Sequence, residues 1–317
     1  MRISEVIKEF NHSVQKQGYK PVLSGFEKID GITHGWKPGE LCVIGGRPSM
    51  GKTAFVLSII RNLALANIPV ALFTATDSPN LPFLSRVACT LLNKKQHWET
   101  EKNLKVLAES DFASLPVHLY ADPKITISFL RDTCKELVEK DGVKCIFIET
   151  IQALFASEYD GMSKGSMEMV CIELKHLALE LDVPIVITSD LNRGPEYRKG
   201  FEGKRPQVKD IRLSDAIENI ADSIWFILRP SYYRVFVDEN GNDLRTKAII
   251  IIEKNKYGAC GDAYLTFNYA KCSFEGEKIT DIMNETKCSF EGEKITDIMN
   301  AEGIQALVEA LDLEPIQ

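Results

Sequence analysis

The sequence contains no CxxC pair and no cluster of cysteine with histidine. Its eight cysteines, at positions 42, 89, 134, 145, 171, 260, 272 and 288, are scattered. That excludes the common structural zinc and thiol–disulfide motifs and points to reduced thiols in a cytoplasmic chain. Long apolar runs are also missing. The stretch Ala248-Ile249-Ile250-Ile251-Ile252 is among the longest, far short of a membrane span. Met1 to Phe10 mixes charges into its apolar residues and lacks the hydrophobic stretch of a signal peptide. Nor is there a general excess of one charge. The net charge is −7, but residues 271–317 hold 4 Lys+Arg against 11 Asp+Glu, leaving 34 of each sign elsewhere. The acidity belongs to the tail, so the body is judged by local patches.

What is present is ordinary for a globular chain. Hydrophobic residues make up 44% and charged residues 26% of 317 positions, enough for a full core in one large or two small domains. Ile3, Val6, Ile7, Phe10 and Val14 recur at helical spacing and predict one short amphipathic helix within residues 1–18. So short a helix needs something to pack on, either its own domain or a neighbouring subunit. From about residue 40, short apolar runs alternate with helical patterns. Strands are expected at Leu41–Ile44, Val70–Thr74, Val117–Tyr120, Cys145–Glu149, Ile185–Ser189 and Ser223–Leu228. Helices are expected at Thr53–Ala66, Leu81–Leu92, Ile127–Glu139, Met167–Leu181 and Ser214–Ile220. This alternation predicts an α/β domain, residues 19–270, with a mostly parallel sheet covered on both faces. Ala248–Ile252 and Ala263–Phe267 read as a terminal β-hairpin. Residues 271–317 are expected to form an acidic tail. Within it, KCSFEGEKITDIMN at 271–284 recurs letter for letter at 287–300. Two copies are too few for a solenoid and point to a recent duplication, natural or introduced.

Gly46-Arg47-Pro48-Ser49-Met50-Gly51-Lys52-Thr53 fits the phosphate-binding pattern G-x-x-x-x-G-K-[ST], between an expected strand and an expected helix. The glycines let successive backbone N–H groups converge, and the helix N-terminus adds positive potential. Lys52 would reach the β- and γ-phosphates, and Thr53 would offer its hydroxyl to Mg²⁺. Nucleotide binding, with ATP and Mg²⁺, is the expected property.

The run GGRPSMGKTAF resembles the Walker A segment of the DnaB-type replicative helicases. The resemblance extends over Leu23 to Leu41, Ile146 to Gln152, Asp190-Leu191-Asn192-Arg193, Lys204-Arg205-Pro206, Asp210-Ile211-Arg212, Ile217-Glu218, Ala221-Asp222 and Lys254-Asn255-Lys256, roughly residues 20 to 270. It implies a RecA-like ATPase domain, without the family's N-terminal primase-interacting domain. Residues 1–18 resemble only its linker helix. It further implies a hexameric ring, ATP hydrolysis at subunit interfaces and movement on single-stranded DNA. Arg47-Pro48-Ser49-Met50 and the Lys204-Arg205-Pro206…Asp210-Ile211-Arg212 segment argue against a different RecA-like ATPase of the recombinase or clock-protein type.

Several departures fall on the chemistry the resemblance implies. The family's catalytic glutamate after the second strand is replaced by Thr76, which cannot accept a proton from water, followed by Asp77. Asp77 is the candidate base if the strand end turns it inward. The Walker B aspartate becomes Glu149, either a water-mediated holder of Mg²⁺ or a plain strand cap. The γ-phosphate-sensing glutamine becomes Asp190, an anion that weakens ATP binding by repulsion or else assists metal or water. The trans-acting Lys-x-Arg pair becomes Lys254 and Lys256, keeping charge but losing the planar fork of an arginine finger. Such a finger is worth roughly 10³–10⁵ in rate.

Residues 192–212 carry Arg193, Arg198, Lys199, Lys204, Arg205, Lys209 and Arg212 against three acids, with Tyr197 and Phe201 interleaved. Basic residues with aromatics suit a single-stranded backbone and stacked bases, and the family's DNA-contacting loops lie here. The alternative from composition alone is a solvated loop. Two readings therefore stand, an ATP-driven translocase and a nucleotide-binding assembly module of the same fold.

Overall fold

The computed structural model describes residues 20–74, 87–90, 114–122, 125–152, 154, 164–211 and 214–276. The expected first helix, Thr76, Asp77, Arg212 and the duplicated segment beyond Gly276 lie outside these residues, as does most of the helix expected at Leu81–Leu92.

Among the described residues six strands run parallel: β1 (Leu41–Gly46), β2 (Val70–Thr74), β3 (Val117–Ala121), β4 (Cys145–Glu149), β5 (Ile185–Asp190) and β6 (Ser223–Leu228). Three antiparallel strands, β7 (Lys247–Asn255), β8 (Gly261–Asn268) and β9 (Ser273–Gly276), extend the sheet from β6. The order is β3-β2-β4-β5-β1-β6-β7-β8-β9. All six parallel strands stand where the apolar runs predicted them, within two residues at each end.

Period-two geometry explains why these strands read as unbroken apolar runs. Alternate side chains point to opposite faces, and each face is roofed by helices. Leu41, Val43, Ile146, Ile148, Ile185 and Ile187 pack on one face with Leu130, Leu174 and Ile217. Those three come from α3 (Ile127–Asp141), α4 (Lys164–Leu181) and α6 (Ser214–Ile220). Cys42, Ile44, Phe147, Val186 and Trp225 face the other way. They pack on α1 (Glu27–Thr33) and α2 (Lys52–Leu65), through Ile29, Phe55 and Ile59. There Trp36 stacks on Trp225 at 5.0 Å between ring centroids. Such a pair adds about 1 kcal/mol beyond area burial.

The termini of α3 show how sequence sets boundaries. The Thr126 side chain accepts from the Phe129 N–H at 3.2 Å, and Gly142, at φ +67°, closes the C-terminus. A four-residue helix, α5 (Gly194–Tyr197), follows β5.

The tail expected from residue 271 opens inside the sheet. Ser273–Gly276 pair with β8, and Phe274 is buried between Phe55 and Phe267. Its N–H donates to Ser58 Oγ on α2 at 2.9 Å. The aromatic anchor outweighs the acidic composition, so the compact unit ends at Gly276.

Cys42, Cys89, Cys134, Cys145 and Cys171 are buried, and no disulfide forms among the described residues. Burial pushes the Cys134 and Cys171 thiols up to about 12, which leaves them unreactive. No helix among the described residues is long and apolar enough to cross a membrane.

Candidate nucleotide site

The C-terminal ends of β1, β4 and β5 meet along one edge of the sheet, where α/β sheets bind ligands. Gly46 pairs with Asp190, and Thr74, the last residue of β2, pairs with Glu149. The phosphate-binding loop leaves β1 here and runs into α2, so the N–H groups of that helix's first turn open onto the same edge. The loop backbone is unusual where its sequence is. Gly51 sits at φ +107° and Ser49 at φ +64°. A side chain at Gly51 would be strained by that angle. A Cβ on Gly46 would lie 3.0 Å from Lys52 Cγ.

Lys52 is only 8% exposed. Its ammonium donates to Gly46 O at 3.1 Å and Arg47 O at 3.3 Å, and pairs with Asp190 Oδ1 at 2.8 Å. Three acceptors match its three N–H bonds. Asp190, expected at the phosphate-sensing position, is thus paired with the loop lysine. Asp190 is held from behind, since its N–H donates to Gln152 Oε1 at 3.2 Å while Gln152 Nε2 donates to Ser189 Oγ at 2.9 Å.

The Thr53 hydroxyl donates to Glu149 Oε1. That contact brings together two hard oxygens, one at the head of α2 and one at the end of β4, the donor type Mg²⁺ takes. Among the described residues there is no cluster of three or more His, Cys, Asp or Glu side chains able to hold a metal alone.

Two arginines secure the loop. Arg229, after β6, donates through Nη2 to Ser49 O at 2.8 Å and lies 4.1 Å above the Phe267 ring. Arg47 turns away from the phosphate side. Its Nη1 donates to Leu191 O at 2.6 Å and Asn192 O at 3.2 Å, while Nε and Nη2 both reach Glu196 Oε1, at 2.9 and 2.5 Å. Motif spacing does not single out either role, because the partners are remote in sequence.

Lys254 and Lys256, at the end of β7, lie on a different part of the surface. They line an open cleft of about 550 Å³ with Lys175, Asp222 and Cys260. Lys254 donates to Glu218 O at 2.6 Å, and Lys256 lies 3.4 Å from Asp222 Oδ1. Burial holds the Lys254 ammonium below its usual pKa. A hydrogen bond with Tyr257 and the Asp222 charge hold that of Lys256 above it. Asp222 is 2% exposed, and its Oδ2 also accepts from the Leu41 N–H at 2.9 Å and Lys175 Nζ at 2.6 Å.

The basic segment after β5 is braced. Arg198 pairs with Asp210 and donates to Arg205 O at 3.0 Å. Arg205 grips Asp262 of β8 through two bonds of 2.6 and 2.5 Å. Lys204 donates to Glu196 O at 2.8 Å and Arg198 O at 2.6 Å. Arg193, Lys199 and Lys209 are exposed, as is Tyr197, whereas Phe201 packs on the core. Of the predicted nucleic-acid residues, some therefore shape the segment and others face solvent.

This sheet and loop define a P-loop protein of RecA-like fold. Two solved structures share it. One is described as an ATPase domain, with a TM-score of 0.73 and 24% identity over 87% of this chain and 99% of that one. The other is a DnaB-like replicative helicase studied with primase, with a TM-score of 0.70 and 23% identity over 88% of this chain and 67% of that one. The family model for the DnaB-like helicase C terminal domain matches residues 21–276, so the chain belongs to that family. Replicative DNA helicase DnaB of Geobacillus stearothermophilus is 33% identical over 258 residues, 78% of this chain and 54% of the relative. Replicative DNA helicase DnaC of Bacillus subtilis is 33% identical over 263 residues, with the same shares. The chain thus spans about half the length of these relatives.

Proposed function

We propose that this chain binds ATP with Mg²⁺ in the Gly46–Thr53 loop and couples its hydrolysis to movement on single-stranded DNA. The observation that carries the reading is the convergence of Lys52, Thr53, Glu149 and Asp190 on one sheet edge, around a loop fixed by Arg47 and Arg229. In this reading the N–H groups of the loop and of α2 cradle the phosphates. Lys52 exchanges Asp190 for a phosphate oxygen. Thr53 and Glu149 would hold a magnesium ion, which would supply positive charge to offset that of the phosphates. Asp77 is the base proposed to orient water.

The relatives are replicative helicases, and a ring of identical copies, six by analogy with the family, is proposed as the working form. Lys254 and Lys256 would then meet the phosphates bound by the next copy. Their open cleft, away from the chain's own loop, supports that role. Arg193, Lys199 and Lys209 would meet the DNA backbone and Tyr197 a base, on the segment that Arg198, Lys204 and Arg205 shape. Arg212 is proposed to join the first group.

The test is ATP turnover with and without single-stranded DNA, beside direct nucleotide binding, for the wild type and Lys52→Ala. Turnover that rises with DNA and falls at least 100-fold in Lys52→Ala is expected. Turnover at background in the wild type, with nucleotide still bound, would reduce the chain to a nucleotide-binding assembly module.

A further inference from the structure

Arg47 belongs to the phosphate loop by sequence, yet every polar contact its side chain makes among the described residues lies in the segment after β5. It is 9% exposed and bound to two backbone oxygens and one carboxylate. That carboxylate, Glu196, lies in α5, directly before the 78%-exposed Tyr197 and between the exposed cations Arg193 and Lys199. The Glu196 backbone oxygen is gripped by Lys204 at 2.8 Å. Arg205, next in the chain, is anchored to Asp262. The Glu196 carboxylate, beside the Leu191 and Asn192 carbonyls at the start of that segment, thus joins the loop that would take phosphates to the helix that would meet a nucleic-acid backbone, through contacts of hydrogen-bond length. Charge-assisted bonds of this kind are short, strong and directional. A displacement of α5 by a bound strand must move Arg47 or break the pair.

We propose that Glu196 is a positioning residue that transmits occupancy of the basic segment to the phosphate loop through Arg47. This rests on the reading that the chain binds both ATP and single-stranded DNA. It adds that the two affinities are coupled chiefly through the Glu196 carboxylate, the one side-chain acceptor of Arg47 among the described residues. Linkage makes the claim strict, because whatever factor DNA contributes to nucleotide affinity, nucleotide must contribute to DNA affinity.

The experiment uses the full chain, a fluorescent non-hydrolysable ATP analogue and a poly-dT oligonucleotide at one fixed salt concentration. Each affinity is measured with and without the other ligand, for the wild type, Glu196→Ala and Glu196→Gln. In the wild type a coupling factor of at least about fivefold is expected, the same in both directions. In Glu196→Ala the factor falls below about twofold in both directions, while each ligand binds alone within about threefold of wild type. Glu196→Gln keeps a neutral acceptor and recovers part of the factor. An unchanged factor in Glu196→Ala overturns the proposal. So does a variant that loses thermal stability and both affinities together with its factor intact, since that is a purely structural role. A wild type that binds both ligands with no coupling overturns the proposal and leaves the two binding sites standing. A wild type that binds neither overturns the functional reading and this inference with it.

Discussion

Lys52 and the pair Lys254 and Lys256 are all proposed to meet phosphate, yet the fold treats them in opposite ways. Lys52 is 8% exposed and saturated by three acceptors of its own chain. The Lys256 side chain is 55% exposed, and its partner Asp222 is 3.4 Å away. Lys254 rests on a single helix carbonyl. A cation held by burial can meet its ligand within one protomer. Cations on an open cleft are accessible to a ligand from outside the chain, as the proposed role requires. Asp222 joins the two regimes, because the same carboxylate that steadies Lys256 caps the first N–H of β1, the strand that delivers the phosphate loop.

The largest expected effect comes from removing that joint. Asp222→Ala strips Leu41 N–H and Lys175 of a buried acceptor. Breaking a buried pair by deleting one partner costs about 3–5 kcal/mol. Denaturant unfolding of the variant should show a loss of that size. A loss under about 1 kcal/mol would mean that the two regions are independent.

Next in size is Lys256→Arg, which returns the planar fork to the cleft without touching Lys52. If the cleft serves a neighbouring copy's phosphates, turnover per site should rise about tenfold, roughly 1.4 kcal/mol in the barrier. Nucleotide affinity of the isolated chain should stay within twofold. A change confined to affinity would move the cleft out of the reaction.

A smaller effect is expected at the buried lysine. Asp190→Gln removes the anion that occupies Lys52 and leaves a neutral group of similar reach. ATP should bind about fivefold more tightly, near 1 kcal/mol, since the displaced pair is partly open to water. Titration with ATP and ADP separates the cause. The gain should be larger for ATP, whose extra phosphate meets Asp190. Equal gains would place Asp190 away from the terminal phosphate.

How legible these regions were in the sequence depended on distance along the chain. The six parallel strands were readable because each is an unbroken apolar run, and the phosphate loop because its eight residues are contiguous. Helix α1 was not, since seven residues carry too little periodicity. What fixes it is Asp30, whose carboxylate accepts from Ser24 N–H, Ser24 Oγ and Gly25 N–H. The ninth strand was hidden in acidic composition, and Phe274 alone betrays it. The joints left no local trace. Glu196 is 149 positions from Arg47, and Asp222 is 181 from Leu41. Only the sheet order brings them together. For the same reason, Arg198 and Arg205 looked no different in sequence from Arg193, although they brace the segment and Arg193 faces water.

The smallest effect is a pH dependence that reports on the same joint. Glu40, just ahead of β1, is 3% exposed. Its Oε2 accepts from the Lys37 N–H at 2.8 Å, while its Oε1 is buried without a hydrogen-bond partner among the described residues. Burial raises its pKa above the ordinary glutamate value. The Lys37 N–H and charge pull it down, and the Asp222 charge pushes it up again. A folded-state pKa above the unfolded one means that the folded chain holds more protons in the window between them. Stability therefore falls as pH rises through that window, and the cost is full above it. Glu40→Gln should remove this slope, so the variant should gain on the wild type as pH rises above the ordinary glutamate range, read in denaturant midpoints. Asp222→Asn should flatten the wild-type slope in part, because it deletes the charge that raises Glu40 while leaving the burial. A Glu40 slope indifferent to Asp222 would show that the carboxylate at the start of β1 does not sense the cleft, leaving packing alone to connect the two regions.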